Sequence, residues 1–391
     1  MFNAKSQRLG VEVYRDEIDR RTPARLSMLG DLRASIEEEE LHLHLQPKLD
    51  LNTGTVVGAE ALVRWTHPVR GVVSPDQFVR VAEDTGLIKQ LTDLMLSEGI
   101  AEVKRLHDRG HHLGLSVNLS THDLLDAKLP ARVSGYLEAN GVPAHVLTLE
   151  ITESSLLVDA PRTRTTIDEL HEMGVRLSID DFGTGYSSLS YLRQLPVREL
   201  KVDQSFVANV LIDSQDEVIV RSTIDLGHNL GLEVVAEGVE NNEILERLRD
   251  FGCDMAQGYC ISRPLPASRL LAWLNVTSIP TLTHDPLDLA AWEATESRRR
   301  QRAEERGTPD RSFVAGMLID PQDEVIVRST VDLGHNLGLL VVAEGVESLS
   351  ILERLRLIGC DEAQGYAISE PVASDGLVDW LRRANAAQRS D

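Results

Sequence analysis

The chain is poor in cysteine, in aromatic residues and in positive charge. Its 391 residues include 3 cysteines, 4% are aromatic, and the formal net charge is −22. Three cysteines are too few, and odd in number, for a disulfide framework, so the sequence predicts a reducing compartment. A chain this acidic lacks a broad electrostatic attraction for nucleic acid, so we expect no DNA or RNA polymer among its partners.

Long apolar runs are also missing. No stretch approaches the roughly 20 apolar residues that a membrane-spanning helix needs, and the N-terminal segment MFNAKSQRLG has no apolar signal-peptide core. The sequence therefore predicts a soluble cytoplasmic protein without a membrane partner. Because 42% of the residues are hydrophobic and few are aromatic, the core should consist of Leu, Val, Ile and Ala.

Short apolar segments alternate with amphipathic helices from Leu41 onward. This alternation indicates βα units and a largely parallel sheet. Ser74 followed by Pro75 predicts the start of one helix, and Gly174 predicts the end of another over 162–173. Eight segments read as strands, the number in a closed (β/α)8 barrel. They are 41–48, 56–64, 114–119, 147–151, 176–181, 199–202, 233–237 and 255–259.

In four of these strands a small residue is followed, two positions later on the same face, by a residue that can bind a metal. The pairs are Gly58 with Glu60, Ser116 with Asn118, Thr148 with Glu150, and Ser178 with Asp180. Because parallel barrel strands end at one rim, we expect their terminal polar side chains to meet in a single mouth. The residues expected there are Glu60, Asn118, Glu150, Asp180, Asp181, Lys201, Glu237 and Gln257.

Five of the residues in this mouth are carboxylates, which repel one another when they are ionised and partly desolvated. Two divalent cations would neutralise most of that charge, and oxygen ligands suit Mg²⁺ or Mn²⁺ better than Zn²⁺. Such a pair of ions can activate a water and stabilise the leaving oxygen in phosphoester hydrolysis. Lys201 would orient or deprotonate that water. A single acidic residue at a strand end is more often a cap or a loop hydrogen-bond partner, so the repetition on successive strands carries the prediction.

The same residues stand in motifs that resemble those of the EAL-domain phosphodiesterases, which hydrolyse cyclic di-GMP. The resemblance extends from about Leu41 to Trp273, and Glu60, Ala61 and Leu62 supply the signature tripeptide. Its motifs are QP at 46–47, EALVRW at 60–65, SVNLS at 116–120, LEITES at 149–154, DDFGTGYSSL at 180–189, LKVD at 200–203, VAEGVE at 235–240 and QGY at 257–259. The resemblance implies a TIM-like barrel with an antiparallel first strand, and hydrolysis of cyclic di-GMP to linear pGpG.

The resemblance also implies roles for individual residues. Two Mg²⁺ or Mn²⁺ ions would be held by Glu60, Asn118, Glu150, Asp180, Asp181 and Glu237. Catalysis would involve Lys201, which contacts the catalytic water, with Glu237 and Asp181. The substrate would be contacted by Gln46, Leu62, Arg64 and Gln257, the last of which also arranges the metal site. Glu153 would anchor the loop from Asp181 to Ser188, which in this family is linked to dimerisation, so a homodimer is expected.

A segment near the C-terminus repeats part of the predicted barrel. Residues 205–274, here called copy one, recur as residues 312–381, called copy two, with about 50 of 70 residues identical. Copy two has no counterpart of Asp180, Asp181 or Lys201, so it cannot build a second site of the same kind.

Copy two has three open fates: docking as an appendage, remaining marginally folded, or replacing copy one in the barrel. We favour copy one in the barrel because it is contiguous with the upstream strands. Copy one also keeps Arg263 before Pro264, where copy two has Glu370 before Pro371.

The sequence thus predicts four parts. Residues 1–37 resemble the tail of a GGDEF domain with a linker helix, and they lack the loop that cyclase activity needs. Residues 38–275 would form the barrel, 276–311 a charged linker with a helix-like stretch over 288–306, and 312–391 the partial duplicate.

Two other functions compete with metal-dependent hydrolysis of cyclic di-GMP. One is a receptor that binds the dinucleotide without cleaving it, but such receptors usually lose metal ligands, and all six are present here. The other is a structural or interaction protein that the repeat has inactivated.

Overall fold

The computed structural model describes residues 23–38, 40–183, 195–276, 313–336 and 340–369. Four predicted features therefore lie wholly or partly outside the described residues. They are the N-terminal segment before residue 23, the loop from Asp181 to Ser188 beyond residue 183, the helix-like stretch over 288–306, and the end of copy two from residue 370.

A ten-stranded sheet closes into a barrel in the first part of the chain. Its strands are β1 (Leu41–Asp50), β2 (Val56–His67), β3 (Gly71–Val73), β4 (Gly114–Leu119), β5 (Leu147–Thr152), β6 (Arg176–Phe182), β7 (Glu199–Val202), β8 (Glu233–Ala236), β9 (Met255–Ala256) and β10 (Leu265–Pro266). The order is β10-β1-β9-β8-β7-β6-β5-β4-β2-β3, and a further pairing of β1 with β2 closes the ring. Eight strands thus form the barrel, and all eight predicted segments contribute one.

The first strand runs against its neighbours, as the resemblance implied. β1 pairs antiparallel with β2 from Leu41↔Trp65 to Leu49↔Val56, and antiparallel with β9 and β10. The steps from β2 through β4 to β9 are all parallel. The predicted α/β class and TIM-like barrel are therefore confirmed.

Helices surround the barrel and follow the strands in alternation. They are α1 (Pro23–Glu37), α2 (Pro75–Thr85), α3 (Ile88–His107), α4 (Thr121–Leu124), α5 (Leu129–Asn140), α6 (Ala160–Glu172), α7 (Gln204–Val207), α8 (Ser214–Asn229), α9 (Asn242–Asp250) and α10 (Ala267–Val276). The two predicted boundaries are close: α2 begins at Pro75, and α6 ends two residues before Gly174. Among the helices described here, none combines the length and apolar character that crossing a membrane requires.

The barrel core is aliphatic, as the composition predicted. In the described cluster of buried residues every member is Leu, Val, Ile or Ala except Met95 and Cys253. A Cβ added to Gly99 of α3 would lie 2.9 Å from Cδ2 of Leu115 on β4, so the missing side chain allows α3 to pack closely on the sheet. A smaller cluster holds α1 against the barrel: Leu32 is buried with Trp65, whose Nε1 donates to Ser35 Oγ at 2.9 Å.

Copy two forms a separate fragment beside the barrel. It contains α11 (Phe313–Gly316), α12 (Pro321–Asn336), β11 (Val342–Glu344), α13 (Leu349–Ile358) and β12 (Glu362–Gln364). β11 and β12 pair in parallel, and the fragment has an apolar cluster of its own around Val331, Val346 and Leu355. Helix α12 packs against α8, its counterpart in copy one, and Asn229 Nδ2 donates to Ser329 Oγ at 3.0 Å. β8 and β9, which complete the barrel, come from copy one.

Candidate active site at the barrel mouth

The carboxyl ends of the parallel strands gather the predicted polar residues. The registers align Asn118 with Glu150 and Thr152 with Asp180 across β4, β5 and β6. Glu60, Glu150 and Asp180 are all buried, which agrees with side chains directed into the barrel rather than into solvent. The predicted alternation of small and polar residues thus produces one mouth.

Lys201 on β7 is the centre of this mouth. Its side chain is 1% exposed, and its Nζ lies 2.8 Å from Glu150 Oε2 and 3.2 Å from Asp180 Oδ1. The same nitrogen lies 2.5 Å from Glu237 Oε1 and 3.9 Å from Glu60 Oε2. One ammonium therefore joins four carboxylates that the chain supplies from β2, β5, β6 and the end of β8.

A local distortion brings Asp180 and Asp181 to the same site. Neighbouring residues in a regular strand point to opposite faces, but the pairing of β6 with β7 shifts register between Ile179 and Phe182. Asp181 has φ +55°, a left-handed conformation that is uncommon for a residue other than glycine. As a result, oxygens of Asp180, Asp181 and Glu237 all lie within 4.8 Å of one another. The sequence placed both aspartates at the mouth without predicting this bulge.

Glu60 is held by amides on both sides. Asn118 Nδ2 donates to Glu60 Oε1 at 2.6 Å, and Gln257 Nε2 donates to Glu60 Oε2. Gln257 Nε2 also donates to Gln46 Oε1 at 3.2 Å, and Gln46 Nε2 donates to the carbonyl of Ser262 at 3.1 Å. These bonds orient the glutamate of the EAL tripeptide, and they place Gln46 and Gln257 at its edge.

The carboxylates of the mouth have divergent acidities. Burial raises the pKa of Glu237 to about 8 and that of Glu60 to about 7, although Lys201 opposes both shifts. Burial and the nearby Asp180 raise the pKa of Asp181 to about 6. Burial acts in the same direction on Glu150, but two lysines outweigh it and hold its pKa at about 2. The pKa of Lys201 is raised, since its carboxylate partners outweigh burial, so its ammonium form dominates.

A buried lysine that the sequence reasoning missed lies one layer below the mouth. Lys48 of β1 pairs across the sheet with Gly58, which has no side chain to fill the space opposite it. Its Nζ donates to Ser116 Oγ at 2.7 Å, Glu150 Oε1 at 2.9 Å and Glu199 Oε1 at 3.0 Å. The signal was available, because Gln46 and Lys48 share one face of β1 by the same period of two.

Three residues with predicted contact roles lie at the edge of the site. Leu62 and Arg64 follow Glu60 at two-residue spacing on β2 and are half-buried. Arg64 Nη1 donates to the carbonyl of Val63 at 2.9 Å, and Glu60 lies within electrostatic range of its guanidinium. Glu153 is buried at the start of a 3-10 helix, Glu153–Leu157, that follows β5. The loop that Glu153 is predicted to anchor continues beyond the described residues after position 183.

The donor set fits hard divalent cations. Every candidate ligand offers a carboxylate or amide oxygen, and such donors suit Mg²⁺ or Mn²⁺. Asp180, Asp181 and Glu237 already bring their oxygens together, and Lys201 links them to Glu60 and Glu150. Gln257 Oε1 is also buried and has no hydrogen-bond partner within the described part of the chain, which leaves an acceptor for water or an ion.

Comparisons of the sequence with family models and with known proteins all point to one family. A family model for the EAL domain matches residues 29–264 and 308–371, more than half of the chain. The bifunctional diguanylate cyclase/cyclic di-GMP phosphodiesterase MucR of Pseudomonas aeruginosa is 41% identical over 274 residues, which are 70% of this chain and 40% of MucR. The cyclic di-GMP phosphodiesterase NbdA of the same organism is 43% identical over 256 residues, 65% of this chain and 33% of NbdA. The chain therefore spans well under half the length of these relatives.

Solved structures agree with the sequence matches. The PaMucR phosphodiesterase in complex with c-di-GMP has a TM-score of 0.61 and 42% sequence identity, covering 62% of this chain and 99% of that one. The EAL domain of Mycobacterium smegmatis DcpA has a TM-score of 0.53 and 38% identity, covering 60% of this chain and 97% of that one.

Proposed function

Because this chain belongs to the EAL-domain family, we propose that it is a phosphodiesterase that hydrolyses cyclic di-GMP to linear pGpG with two Mg²⁺ or Mn²⁺ ions. The single observation that carries the proposal is the mouth itself, where Lys201 and four carboxylates meet in a buried cluster. The relatives named for this activity, and the similar structure that contains c-di-GMP, support the choice of substrate.

The geometry of the mouth supports the ligand roles that the family resemblance implies. Six residues would hold the two ions: Glu60, Asn118, Glu150, Asp180, Asp181 and Glu237. When bound, two such ions lower the pKa of a water and stabilise the leaving oxygen of a phosphodiester. Asn118 and Gln257 keep Glu60 in place by donating to both of its oxygens.

Lys201 would orient the attacking water rather than deprotonate it. Before ions bind, the surrounding carboxylates raise the pKa of Lys201, which favours the ammonium form over the free amine that a general base needs. A positioned ammonium can donate a hydrogen bond to the water and balance negative charge as it develops on the phosphate. Glu237, which contacts Lys201, and Asp181, whose oxygens lie near those of Glu237, would take part in catalysis with it.

The substrate would approach over the edge formed by β1 and β2. Arg64 presents a guanidinium that suits a phosphate oxygen, and Leu62 supplies apolar surface for a base. Gln46 and Gln257 add amide donors and acceptors beside Glu60. Glu153 would hold the loop after β6, and we extend the proposal to a homodimer that uses this loop.

A direct assay tests the proposal. Purified chain is incubated with cyclic di-GMP and either MgCl₂ or MnCl₂, and the products are separated by chromatography. We expect pGpG with either metal, no product in EDTA, and no product from Asp180→Asn or Asp181→Asn variants. Binding of the dinucleotide without pGpG would favour the receptor instead. Neither binding nor turnover would favour a structural or interaction protein.

A further inference from the structure

The carboxylate of Glu150 is held from two opposite sides. Lys201 Nζ lies 2.8 Å from Oε2, and Lys48 Nζ lies 2.9 Å from Oε1. Both lysines and Glu150 have side chains that are at most 4% exposed. Two fixed donors on one carboxylate restrict its terminal torsion, which is otherwise broad. Glu150 therefore presents a defined oxygen, Oε2, to the side on which Lys201 lies.

All three N–H donors of the Lys48 ammonium are used in hydrogen bonds. An ammonium has three N–H donors, and Ser116, Glu150 and Glu199 accept one each at 2.7, 2.9 and 3.0 Å. It lies opposite Gly58 in the pairing of β1 with β2, and its Nζ reaches side chains of β4, β5 and β7. Its charge is balanced locally by Glu199, a carboxylate that lies outside the mouth.

We propose that Lys48 is a positioning residue of the metal site, which holds Glu150 Oε1 so that Oε2 alone is offered to a divalent ion. This inference rests on the proposed function, since it assigns Glu150 as a metal ligand. Groups that hydrogen-bond to a metal ligand without touching the metal orient that ligand, and their loss typically costs 10–100-fold in metal affinity. Lys48 stands in this relation to Glu150.

Removing Lys48 by itself is a poor test, because it leaves Glu199 as a buried carboxylate without its partner. The informative variant is Lys48→Met with Glu199→Gln, which removes one positive and one negative charge together. Its net charge equals that of the wild type, so a change in Mn²⁺ affinity does not come from the overall field. Glu199→Gln alone is the matched control, because its amide oxygen still accepts from Lys48 and the contact with Glu150 is kept.

Mn²⁺ binding is measured by electron paramagnetic resonance, with thermal unfolding as a check that each variant is folded. We expect the dissociation constant for Mn²⁺ to rise about 10-fold in the double variant, as for loss of a ligand-orienting group. Glu199→Gln should stay near wild type. In the pGpG assay the Mn²⁺ concentration for half-maximal rate should rise in parallel, while kcat at saturating Mn²⁺ recovers. Loss of kcat at every Mn²⁺ concentration, with unchanged Mn²⁺ affinity, would mean that Lys48 is merely structural and would overturn the inference.

Two other outcomes separate this inference from the proposed function. If the wild type produces pGpG and the double variant binds Mn²⁺ as tightly as the wild type, the role proposed for Lys48 is overturned and the phosphodiesterase proposal still stands. If the wild type binds Mn²⁺ but produces no pGpG, the proposed function fails. The affinities of the two variants would still decide whether Lys48 positions Glu150.

Discussion

Copies one and two share about 50 of 70 residues but have different surroundings. In copy one Asp254 Oδ2 accepts from His228 and from the backbone N–H of Val234, each at 2.8 Å. In copy two Asp361 Oδ2 makes the same pair of bonds to His335 and Val341 at the same distance. Local sequence is therefore sufficient for the strand, helix and connecting turns, whether or not a barrel surrounds them.

The two copies differ where the barrel would provide neighbours. Val235 is 0% exposed between β7 and β9, whereas its counterpart Val342 is 48% exposed. Met255 packs with Val57 and Val235 inside the barrel, and copy two has the exposed Glu362 at that position. Barrel closure, rather than the repeated sequence, buries these two strand positions and brings Glu237 to Lys201.

The largest contrast should appear in catalysis. Glu237→Gln removes a carboxylate that contacts Lys201, so kcat/KM for cyclic di-GMP should fall by about 100-fold or more, as for loss of an acid–base group. Glu344→Gln, the matched change in copy two, should leave the rate of pGpG formation unchanged because Glu344 is exposed outside the mouth. The reverse pattern would mean that copy two completes the barrel in solution.

A cavity made by replacing an equivalent buried leucine in each copy should affect the free energy of unfolding of the barrel only in copy one. Leu248 and Leu355 are both fully buried counterparts. Leu248→Ala should lower the free energy of unfolding of the barrel by about 2–5 kcal/mol, as for other buried leucines. Leu355→Ala should leave the main chemical-denaturation transition in place and accelerate hydrogen exchange over α13. A drop in the main transition for both variants would show that the copies unfold as one unit.

Swapping the side chains at one equivalent position, Met255 in copy one and Glu362 in copy two, should show how differently the two copies are buried. Met255→Glu places a carboxylate beside Val57 and Val235, and desolvation of a polar group should cost about 2 kcal/mol. Glu362→Met should leave the midpoint of unfolding unchanged, because Glu362 is exposed. Met255→Leu is the control for shape and should cost less than about 1.5 kcal/mol. A Met255→Glu variant as stable as the wild type would show that copy two still fits the barrel.

The smallest contrast concerns pH. The pKa of Glu237 is about 8 and that of Glu60 about 7, both above the ordinary value of 4.5. The folded chain thus retains protons that the unfolded chain releases, so stability from these groups is full below about pH 4.5, falls as pH rises and is completely lost above about pH 8. In EDTA, Tm should fall between about pH 5 and pH 8. Glu237→Gln should reduce the dependence of Tm on pH, whereas Glu344→Gln should leave it unchanged. A Tm that rises with pH would contradict the raised pKa values of Glu237 and Glu60.

The sequence predicted the barrel well because its periodicity is strong. All eight strands were found, and the alternation from Gly58 to Glu60 and from Thr148 to Glu150 correctly indicated the inward face. The short strands β3 and β10 escaped prediction, since segments of three and two residues carry too little periodicity to detect. The antiparallel first strand came from the resemblance, because hydrophobic pattern does not encode strand direction.

The site was predicted less completely than the fold. Lys48 was not predicted, because it lies two residues from Gln46, below the rim of the barrel, and its partners Ser116 and Glu199 become neighbours only when the barrel closes. The left-handed conformation of Asp181 depends on the register shift against β7, which a sequence does not display. The sequence predicted that these residues would meet at one mouth, whereas the central position of Lys201 among four carboxylates became visible only in the tertiary structure.

The closure of the ring at β9 has a consequence for synthesis of the chain. β9 meets β1 through Leu49↔Ala256 and Asp50↔Met255, and copy two carries an alternative version of the same strand 107 positions later. Proteins begin to fold from the N-terminal side while they are still on the ribosome, so copy one reaches the waiting edge of β7 before copy two has been translated. We therefore expect the order of synthesis to favour copy one in the barrel, and the charge of Glu362, which stands in place of Met255, to disfavour a later exchange.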